Sequence, residues 1–471
     1  MTTAPRTRVL GTFTLAMITM AAIVSLRNLP LNAELGFSSV FFLCLAALIF
    51  FIPTALVIAE LAATWPRAGG CYVWVGEAFG KPLAFITLWL SWMASVAWFP
   101  TILAFTATML AHILAPIFPG LENNTLFLMS CMLAIFWITT LSNFCGIEFS
   151  GFLISGGVII GTLIPGLLII ILGLSWVVSG NPSQVPLSIS SLIPDCKLDN
   201  LVLFSGLVLG LAGVELAAYH VREAKNPQHS YPRALLLASG LILAVYILGT
   251  LAIAIVVPQQ DLSLASGLVQ AFAVFFTQVG LPWMIPLMAA FLLCGALAGI
   301  NAWVVGPAKG MLIVAQDGFL PNWLQRVNKH GVPTALLTLQ AVVGSLLTLL
   351  FIYIRNNNTS IWMLIALSAQ FTCVVYILIF CAALKLRVDQ PDIVRPFRAK
   401  AIWLISGCGI AACIFSFIVV YIPHVKLVSI EYGWYCFLLM AGFLMLLLPA
   451  ILLIYLRHRS NIAAKFNSTT S

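Results

Sequence analysis

The chain has 471 residues, of which 62% are hydrophobic and 8% are charged, with a formal net charge of +8 and a mean hydropathy of +1.09. Soluble domains carry about 25% charged residues, so this composition excludes a water-soluble protein. The 11 cysteines form no pair or Cys/His cluster at metal-ligand spacing. We therefore expect neither a metal site nor a bound cofactor.

Twelve apolar runs are long enough to cross a bilayer, which takes about 20 residues. They occupy residues 10–30, 37–63, 83–114, 125–144, 150–178, 201–221, 232–257, 282–316, 334–354, 361–387, 401–423 and 432–457. Residues 259–282 are too mixed in polarity for another crossing, and we predict an interfacial helix there. The pattern predicts an all-α integral membrane protein with twelve transmembrane helices.

The basic residues indicate how these spans are oriented. With the N-terminus inside, eighteen of the 22 Lys and Arg residues fall in cytoplasmic joints, three fall outside, and Arg27 lies within a span. Such a bias places both termini in the cytoplasm of a multi-pass plasma (inner) membrane protein. Since the topology accounts for the positive charge, we expect the lipid bilayer as a partner and no nucleic acid.

Arg27 is the unusual residue of the first span, which ends in AAIVSLRNLP at residues 21–30. An arginine at the bilayer centre costs about 2.5–3.5 kcal/mol on insertion scales. In one interpretation its long side chain reaches the interface or a structural partner. In the other, it faces the outer vestibule and attracts an anionic solute. The sequence leaves both interpretations open.

Two joints between spans have an unusual order of residues. Residues 59–80 read AELAATWPRAGGCYVWVGEAFG, and residues 213–234 read GVELAAYHVREAKNPQHSYPRA. Span eight adds WVVGPAKGM at residues 303–311. These segments resemble the amino acid–polyamine–organocation superfamily of transporters, and the second is most similar to the glutamate/γ-aminobutyrate antiporter family. The resemblance extends from about residue 10 to residue 457.

The resemblance implies a single transmembrane domain with a five-plus-five inverted repeat, as in LeuT-like transporters. Repeat one would span about residues 10–178 and repeat two about residues 201–387. Two peripheral spans at about 401–457 and a short cytoplasmic tail at 458–471 would follow. Spans one and six would be broken near the midplane. In span six, Gly206, Gly210 and Gly213 provide flexibility for a break, although close helix packing also explains them.

A broken helix presents free N–H groups at one end and free C=O groups at the other, which attract a carboxylate and an ammonium group respectively. We expect the breaks near Ala21–Ser25 and Leu209–Gly213. Arg27 and one residue of span eight complete the predicted pocket. The candidate substrate-binding residues are Ala21, Ala22, Ile23, Val24, Ser25, Arg27, Leu209, Gly210, Leu211, Ala212, Gly213 and Asn301.

Four further residues are candidates for gating or proton coupling. Glu215, near the inner end of span six, is suited to bind and release a proton; the alternative is a buried structural carboxylate. Glu60 is interpreted as a cap or gate contact near the cytoplasmic surface. Relatives commonly carry an aromatic residue in span six, where this chain has leucines. The candidates to replace it are Trp92, Trp98, Phe99 and Trp303, of which we favour Trp98 and Trp303.

The leading functional hypothesis is a secondary transporter that exchanges an acidic or neutral amino acid for a related amine or amino acid. The alternatives are a cationic amino acid or polyamine exchanger and a proton-coupled amino acid symporter, with the proton as a second partner. A non-transporting nutrient sensor is the candidate from a different class. We expect no enzyme, since the sequence has no HExxH motif or paired catalytic carboxylates. The tail after Arg457 is too short for the folded cytoplasmic plug of the glutamate/γ-aminobutyrate antiporters.

Overall fold

The computed structural model describes residues 11–67, 69–194, 197–216, 218, 226–258, 262–263, 266–353, 357–423 and 430–469. All regular structure in these ranges is helical. The α-helices are α1 Thr12–Ile23, α2 Asn28–Ala33, α3 Ser39–Ala46, α4 Ile52–Thr64, α5 Cys71–Phe79, α6 Lys81–Leu114, α7 Thr125–Ser142, α8 Ile147–Val158, α9 Ile164–Val178, α10 Ile189–Leu192, α11 Leu198–Gly210, α12 Pro227–Val256, α13 Gly267–Gln278, α14 Met284–Gln316, α15 Thr334–Tyr353, α16 Asn357–Asp389, α17 Ile402–Val419 and α18 Tyr432–Thr469.

Long apolar runs fold as helices because, in a bilayer, each backbone polar group must be paired within its own segment. Ten helical stretches in the described ranges are long and apolar enough to cross a membrane. The first predicted span is divided between α1 and α2, and the ninth corresponds to the shorter apolar stretch Thr334–Leu349. The all-helical membrane fold is confirmed, whereas the count of twelve spans, the inverted repeat and the side of the termini stay predictions.

Burial separates the inner helices from the outer ones. The most apolar window of α6 is 72% buried, whereas that of the stretch Tyr432–Arg459 in α18 is 11% buried. The long helix α6 packs against α14 and α16, and α1 packs against α12, α8 and α14. The centre of the protein is therefore built around α1, α6, α14 and α16, with α18 at the periphery.

Helix α13 occupies the stretch for which an interfacial helix was predicted. It buries Leu268, Phe272 and Phe276, and the two phenylalanine rings stack with centroids 5.6 Å apart. The helix itself is confirmed, and its position at the membrane interface stays a prediction.

The end of α8 and the turn after it pack against α14 at a seam of small residues, formed by Gly157 and Gly161 on one side and Gly295 and Ala298 on the other. A π-helical turn at Ile159–Leu163 connects α8 and α9. Within that turn, a Cβ atom on Gly161 would lie 1.9 Å from the backbone nitrogen of Gly295 in α14. One turn earlier, a Cβ atom on Gly157 would lie 2.7 Å from the Cβ of Ala298. The backbones of these two helices are thus in direct contact, which only glycine allows.

Candidate functional site

Span one is interrupted between α1 and α2. The N–H of Val24 still donates to Met20, but Val24 itself is extended, and helical structure resumes at Asn28. Pro30 lies in the first turn of α2, where its missing N–H is tolerated. The interruption therefore covers Val24–Arg27. The predicted window began too early, since Ala21, Ala22 and Ile23 form the last turn of α1.

Span six is interrupted directly after Gly210, inside the predicted window. Leu211 and Ala212 form a turn, and Gly213 has φ +117°, a conformation that favours glycine. A Cβ atom on Gly213 would lie 3.2 Å from the carbonyl oxygen of Ala22 and 3.3 Å from Trp303. Gly213 thus allows close contact between spans one, six and eight. Residues 217 and 219–225 of the joint that follows lie outside the described residues.

Tyr246 of α12 connects the two interruptions. Its buried hydroxyl accepts hydrogen bonds from the Ser25 backbone N–H and the Asn28 side-chain amide, both at 3.3 Å. The hydroxyl donates to the carbonyl of Ile23 at 2.9 Å and lies 3.3 Å from that of Gly210. One side chain therefore holds both broken helices in register. Tyr246 was not among the predicted site residues; a lone tyrosine within an apolar span was the available signal.

A cavity of about 100 Å³ lies between the two interruptions, with room for several water molecules. Its walls come from α1, the interruption that follows it, the start of α2, α6, α11, α14, α16 and the turn between α8 and α9. No side chain ionised at neutral pH is among the described residues that line it. The polar side chains on its walls are Ser25, Asn28, Thr162, Ser368 and Thr372, together with the indoles of Trp98 and Trp303.

The interruption of span one also leaves backbone groups free beside the cavity. The N–H groups of Leu26 and Arg27 have no acceptor among the described residues. Likewise, the carbonyl oxygens of Ala21 and Val24 accept no hydrogen bond from the described part of the chain. Donors and acceptors for a zwitterionic solute are thus available without a charged side chain.

Trp98 and Trp303 form the aromatic wall of the cavity. Their ring centroids are 5.7 Å apart, and Trp303 Nε1 donates to the carbonyl of Ala22 at 2.9 Å. Both lie where a solute would contact them. By contrast, the other two aromatic candidates, Trp92 and Phe99, are buried in the core and do not line the cavity.

Several predicted pocket residues are not on the cavity wall. Leu209, Gly210 and Ala212 line it, whereas Leu211 and Gly213 do not. Asn301 is also absent from the wall: its Oδ1 accepts from Asn143 at 2.8 Å, and its Nδ2 donates to Leu297 at 2.9 Å. The prediction for Asn301 is therefore corrected to a structural contact between span eight and the end of α7.

Arg27 is also not on the cavity wall, although its two chain neighbours, Leu26 and Asn28, are. Only 8% of Arg27 is exposed. No described residue is its structural partner, and both its reach to the membrane interface and its orientation toward an outer vestibule stay predictions. Arg27 makes no hydrogen bond or ion pair with any described residue.

Glu215 lies behind the cavity rather than on its wall. It is buried and accepts a short hydrogen bond from the hydroxyl of Tyr376 in α16. That hydroxyl in turn accepts from the backbone N–H of Gly213 at 2.7 Å. Glu215 is thus connected to the interruption of span six through Tyr376, which was not among the predicted site residues.

Glu60 is the centre of a buried ion cluster. Its carboxylate receives two hydrogen bonds of 2.6 Å from Arg387 and one of 2.7 Å from the backbone N–H of Ala399. Arg395 Nε lies 3.3 Å away. This cluster joins α4 to the end of α16 and to the segment before α17, so Glu60 is a contact between helices rather than a cap.

A second cluster surrounds Asp317, at the end of α14. Its carboxylate accepts from the Tyr72 hydroxyl at 2.5 Å and from Lys81 at 3.2 Å. Arg457 donates to its carbonyl oxygen at 2.8 Å. Burial tends to raise the pKa of Asp317, but the hydrogen bonds from Tyr72 and Lys81 and the neighbouring cations outweigh it and lower that pKa. Asp317 therefore stays ionised in mildly acidic solution, and the cluster persists.

The cavity lies far from the Asp317 cluster. On α6, Ala94 and Phe105 line the cavity, whereas Lys81 at the first residue contacts Asp317. At 1.5 Å per residue, Ala94 and Phe105 are about 20 and 36 Å from Lys81 along the helix axis. The cavity thus lies beside the middle of α6 and the half that follows, whereas the Asp317 cluster lies at the first turn of this helix.

Two interrupted helices around a small cavity in an all-helical membrane domain are the architecture of a secondary transporter. A sequence model of the family described as amino acid permease matches residues 10–444. The chain belongs to this family, and it is a multi-pass protein of the plasma membrane. The superfamily resemblance predicted from the joints is confirmed.

The chain is similar to several curated transporters. It is 44% identical over 447 residues to an uncharacterized transporter of Legionella pneumophila, covering 94% of this chain and 96% of the relative. It is 29% identical over 436 residues to a glutamate/γ-aminobutyrate antiporter of Lactococcus lactis, covering 90% and 86%. It is 26% identical over 369 residues to a cadaverine/lysine antiporter of Escherichia coli, covering 77% and 78%.

Proposed function

We propose that this protein is an antiporter that exchanges an acidic or neutral amino acid for a related amine or amino acid by alternating access. The observation that carries this proposal is the cavity between two interrupted helices, with free backbone donors and acceptors and no ionised side chain among the described residues of its wall. Similarity to a glutamate/γ-aminobutyrate antiporter supports exchange and this substrate class.

The backbone groups of span one account for recognition of an amino acid. The free N–H group of Leu26, followed by that of Arg27, would attract the α-carboxylate, and the free carbonyls of Ala21 and Val24, which line the cavity, would bind the ammonium group. The paired indoles of Trp98 and Trp303 would cover the solute side chain.

The proposal also includes twelve spans arranged as a five-plus-five repeat, with both termini in the cytoplasm. In that orientation the Glu60 and Asp317 clusters are at the cytoplasmic face and the cavity is on the outer side of the midplane. The conformation described here would then be outward-facing, with its cytoplasmic side closed. Exchange requires these clusters to separate when the cavity opens inward.

We expect the substitution Glu215→Gln to preserve exchange but to flatten its dependence on pH. Glutamine keeps the shape and can accept the hydrogen bond from Tyr376, but it cannot gain or lose a proton. Initial rates of counterflow between pH 5 and pH 8 provide the measurement, because such profiles report essential ionising groups. Glu122→Gln, at an exposed carboxylate between α6 and α7, is the control. If the Glu215→Gln profile matches the wild type, Glu215 is a structural carboxylate.

Counterflow in proteoliposomes tests the proposed function itself. Vesicles loaded with unlabelled amino acids would receive labelled glutamate, γ-aminobutyrate, glutamine, arginine or agmatine outside. Uptake of an acidic or neutral label only against an internal partner is the expected result. Uptake of cationic labels alone would favour the cationic amino acid or polyamine exchanger. Uptake driven by a proton gradient without an internal partner would favour a symporter, and binding without any uptake would favour a sensor.

A further inference from the structure

Among the charged residues, Arg27 is the closest in sequence to residues that line the cavity. It lies in the interruption of span one, between Leu26 and Asn28, which both line the cavity. The residue is buried, with only a small part of its surface exposed. A guanidinium group stays protonated in proteins, so this position carries a permanent positive charge.

No group in the described part of the chain neutralises this charge. Arg27 forms no hydrogen bond or ion pair there, and the one titratable side chain that acts on it is Tyr246, which is a neutral phenol. The guanidinium is thus a buried charge with no partner among the described residues, and it lies between two residues that line the cavity.

The other well-buried arginines of the described residues are paired. Arg387 binds Glu60 through two hydrogen bonds, and Arg395 lies 3.3 Å from the same carboxylate. Arg457, which is partly buried, donates to the carbonyl of Asp317 and stacks on Phe319. Arg27 therefore differs from them in having no counter-ion among the residues that the structure describes.

A buried ion without a partner costs several kcal/mol, and a planar guanidinium pairs with a carboxylate through two parallel hydrogen bonds. We propose that Arg27 is an anion-binding site and that its occupant is the side-chain carboxylate of a transported acidic amino acid. The backbone groups of the interruption serve one carboxylate and one ammonium group, so a second carboxylate needs a cation, which Arg27 provides. This inference rests on the proposed function and narrows its substrate to an acidic amino acid on one limb of the exchange. A small inorganic anion such as chloride has the same chemistry and is the other source to be distinguished.

Glutamate and glutamine provide the test, because they differ only in a carboxylate and an amide. In counterflow with Arg27→Gln, we expect the half-saturating concentration of glutamate to rise about tenfold or more, as loss of a charge-assisted hydrogen bond predicts. The half-saturating concentration of glutamine should change by less than about twofold. Arg27→Lys should restore part of the glutamate affinity. Arg67→Gln, which removes an exposed arginine paired with Glu77, is the matched control.

The same assays are repeated with chloride replaced by gluconate. Removal of chloride could lower wild-type uptake of glutamate and glutamine equally while leaving uptake by Arg27→Gln unchanged. In that case the occupant is an inorganic anion, and the assignment of Arg27 to the substrate carboxylate is overturned. If Arg27→Gln changes neither the glutamate-to-glutamine ratio nor the response to chloride, the anion site is overturned.

Thermal unfolding of purified protein separates failure of this inference from failure of the proposed function. Glutamate or chloride, each as the sodium salt, should raise the melting temperature of the wild type more than that of Arg27→Gln. An equal rise in both proteins would contradict the anion site even if no transport were detected. Size-exclusion chromatography establishes that Arg27→Gln is folded; if it is not, Arg27→Lys is compared with the wild type in the same assays.

Discussion

Gly161→Ala is expected to reduce exchange at least tenfold and to lower the melting temperature of the protein. The added Cβ would lie 1.9 Å from the backbone nitrogen of Gly295 and 2.4 Å from the carbonyl oxygen of Phe291. These are backbone atoms, which cannot rotate away, so α14 and the π-helical turn must separate. Overpacking of a well-packed core costs about 1–3 kcal/mol and occasionally more. Gly161 and Gly295 both line the cavity, so the same displacement changes the shape of the site.

Gly156→Ala, in α8, is the matched control because a Cβ atom added there would meet nothing within 4 Å. Alanine is favoured over glycine inside a helix by about 0.8–1.0 kcal/mol, so this variant should be neutral or slightly stabilised. Initial counterflow rates and thermal unfolding are measured for both variants. Equal behaviour of the two would show that the seam does not constrain the protein.

Glu60→Ala is expected to destabilise the protein by about 3–5 kcal/mol, the range for breaking a buried ion pair. The substitution leaves Arg387 without its bidentate acceptor and the N–H of Ala399 without a partner. It also leaves Arg387 and Arg395 as like charges with no anion between them. The measurement is the shift in thermal unfolding of the purified protein.

The control for Glu60→Ala is Glu77→Ala. Glu77 pairs with Arg67 at 2.6 Å, but the side chains are 30% and 56% exposed. Exposed pairs contribute about 0–1 kcal/mol, so this variant should unfold near the wild-type temperature. A similar small shift for both variants would contradict the role assigned to Glu60, and a large shift for Glu77→Ala alone would do so as well.

The apolar pattern and the two joint motifs were sufficient to predict the helical membrane fold and the family. The family resemblance, together with the glycines of span six, also predicted where span six is interrupted, and Gly213 there adopts a conformation that other residues rarely adopt. The interruption of span one was predicted too early in the chain. Ala21–Ile23 have no intrinsic reason to leave the helix, and the resumption at Asn28 depends on the position of Pro30 and on contacts with Tyr246.

Contacts between distant spans were beyond what one sequence provides. Tyr246, Tyr376 and Asp317 are each far along the chain from the groups they bind. Asn301 was assigned to the cavity because it lies in span eight, but the face of a buried helix cannot be assigned when the whole segment is apolar. The contact of Gly161 with Gly295 was hidden for the same reason: many membrane helices contain glycine, and only the three-dimensional pairing shows which glycines touch.

The most direct test of the central claim is amino acid counterflow by wild-type protein and by two alanine-to-tryptophan variants. Ala296 lines the cavity on α14, whereas Ala411 is an exposed residue of α17. If an amino acid is exchanged through this cavity, Ala296→Trp will fill the site and abolish counterflow, and Ala411→Trp will exchange at the wild-type rate. Wild-type counterflow by folded Ala296→Trp would show that the solute binds elsewhere and would contradict the proposed site.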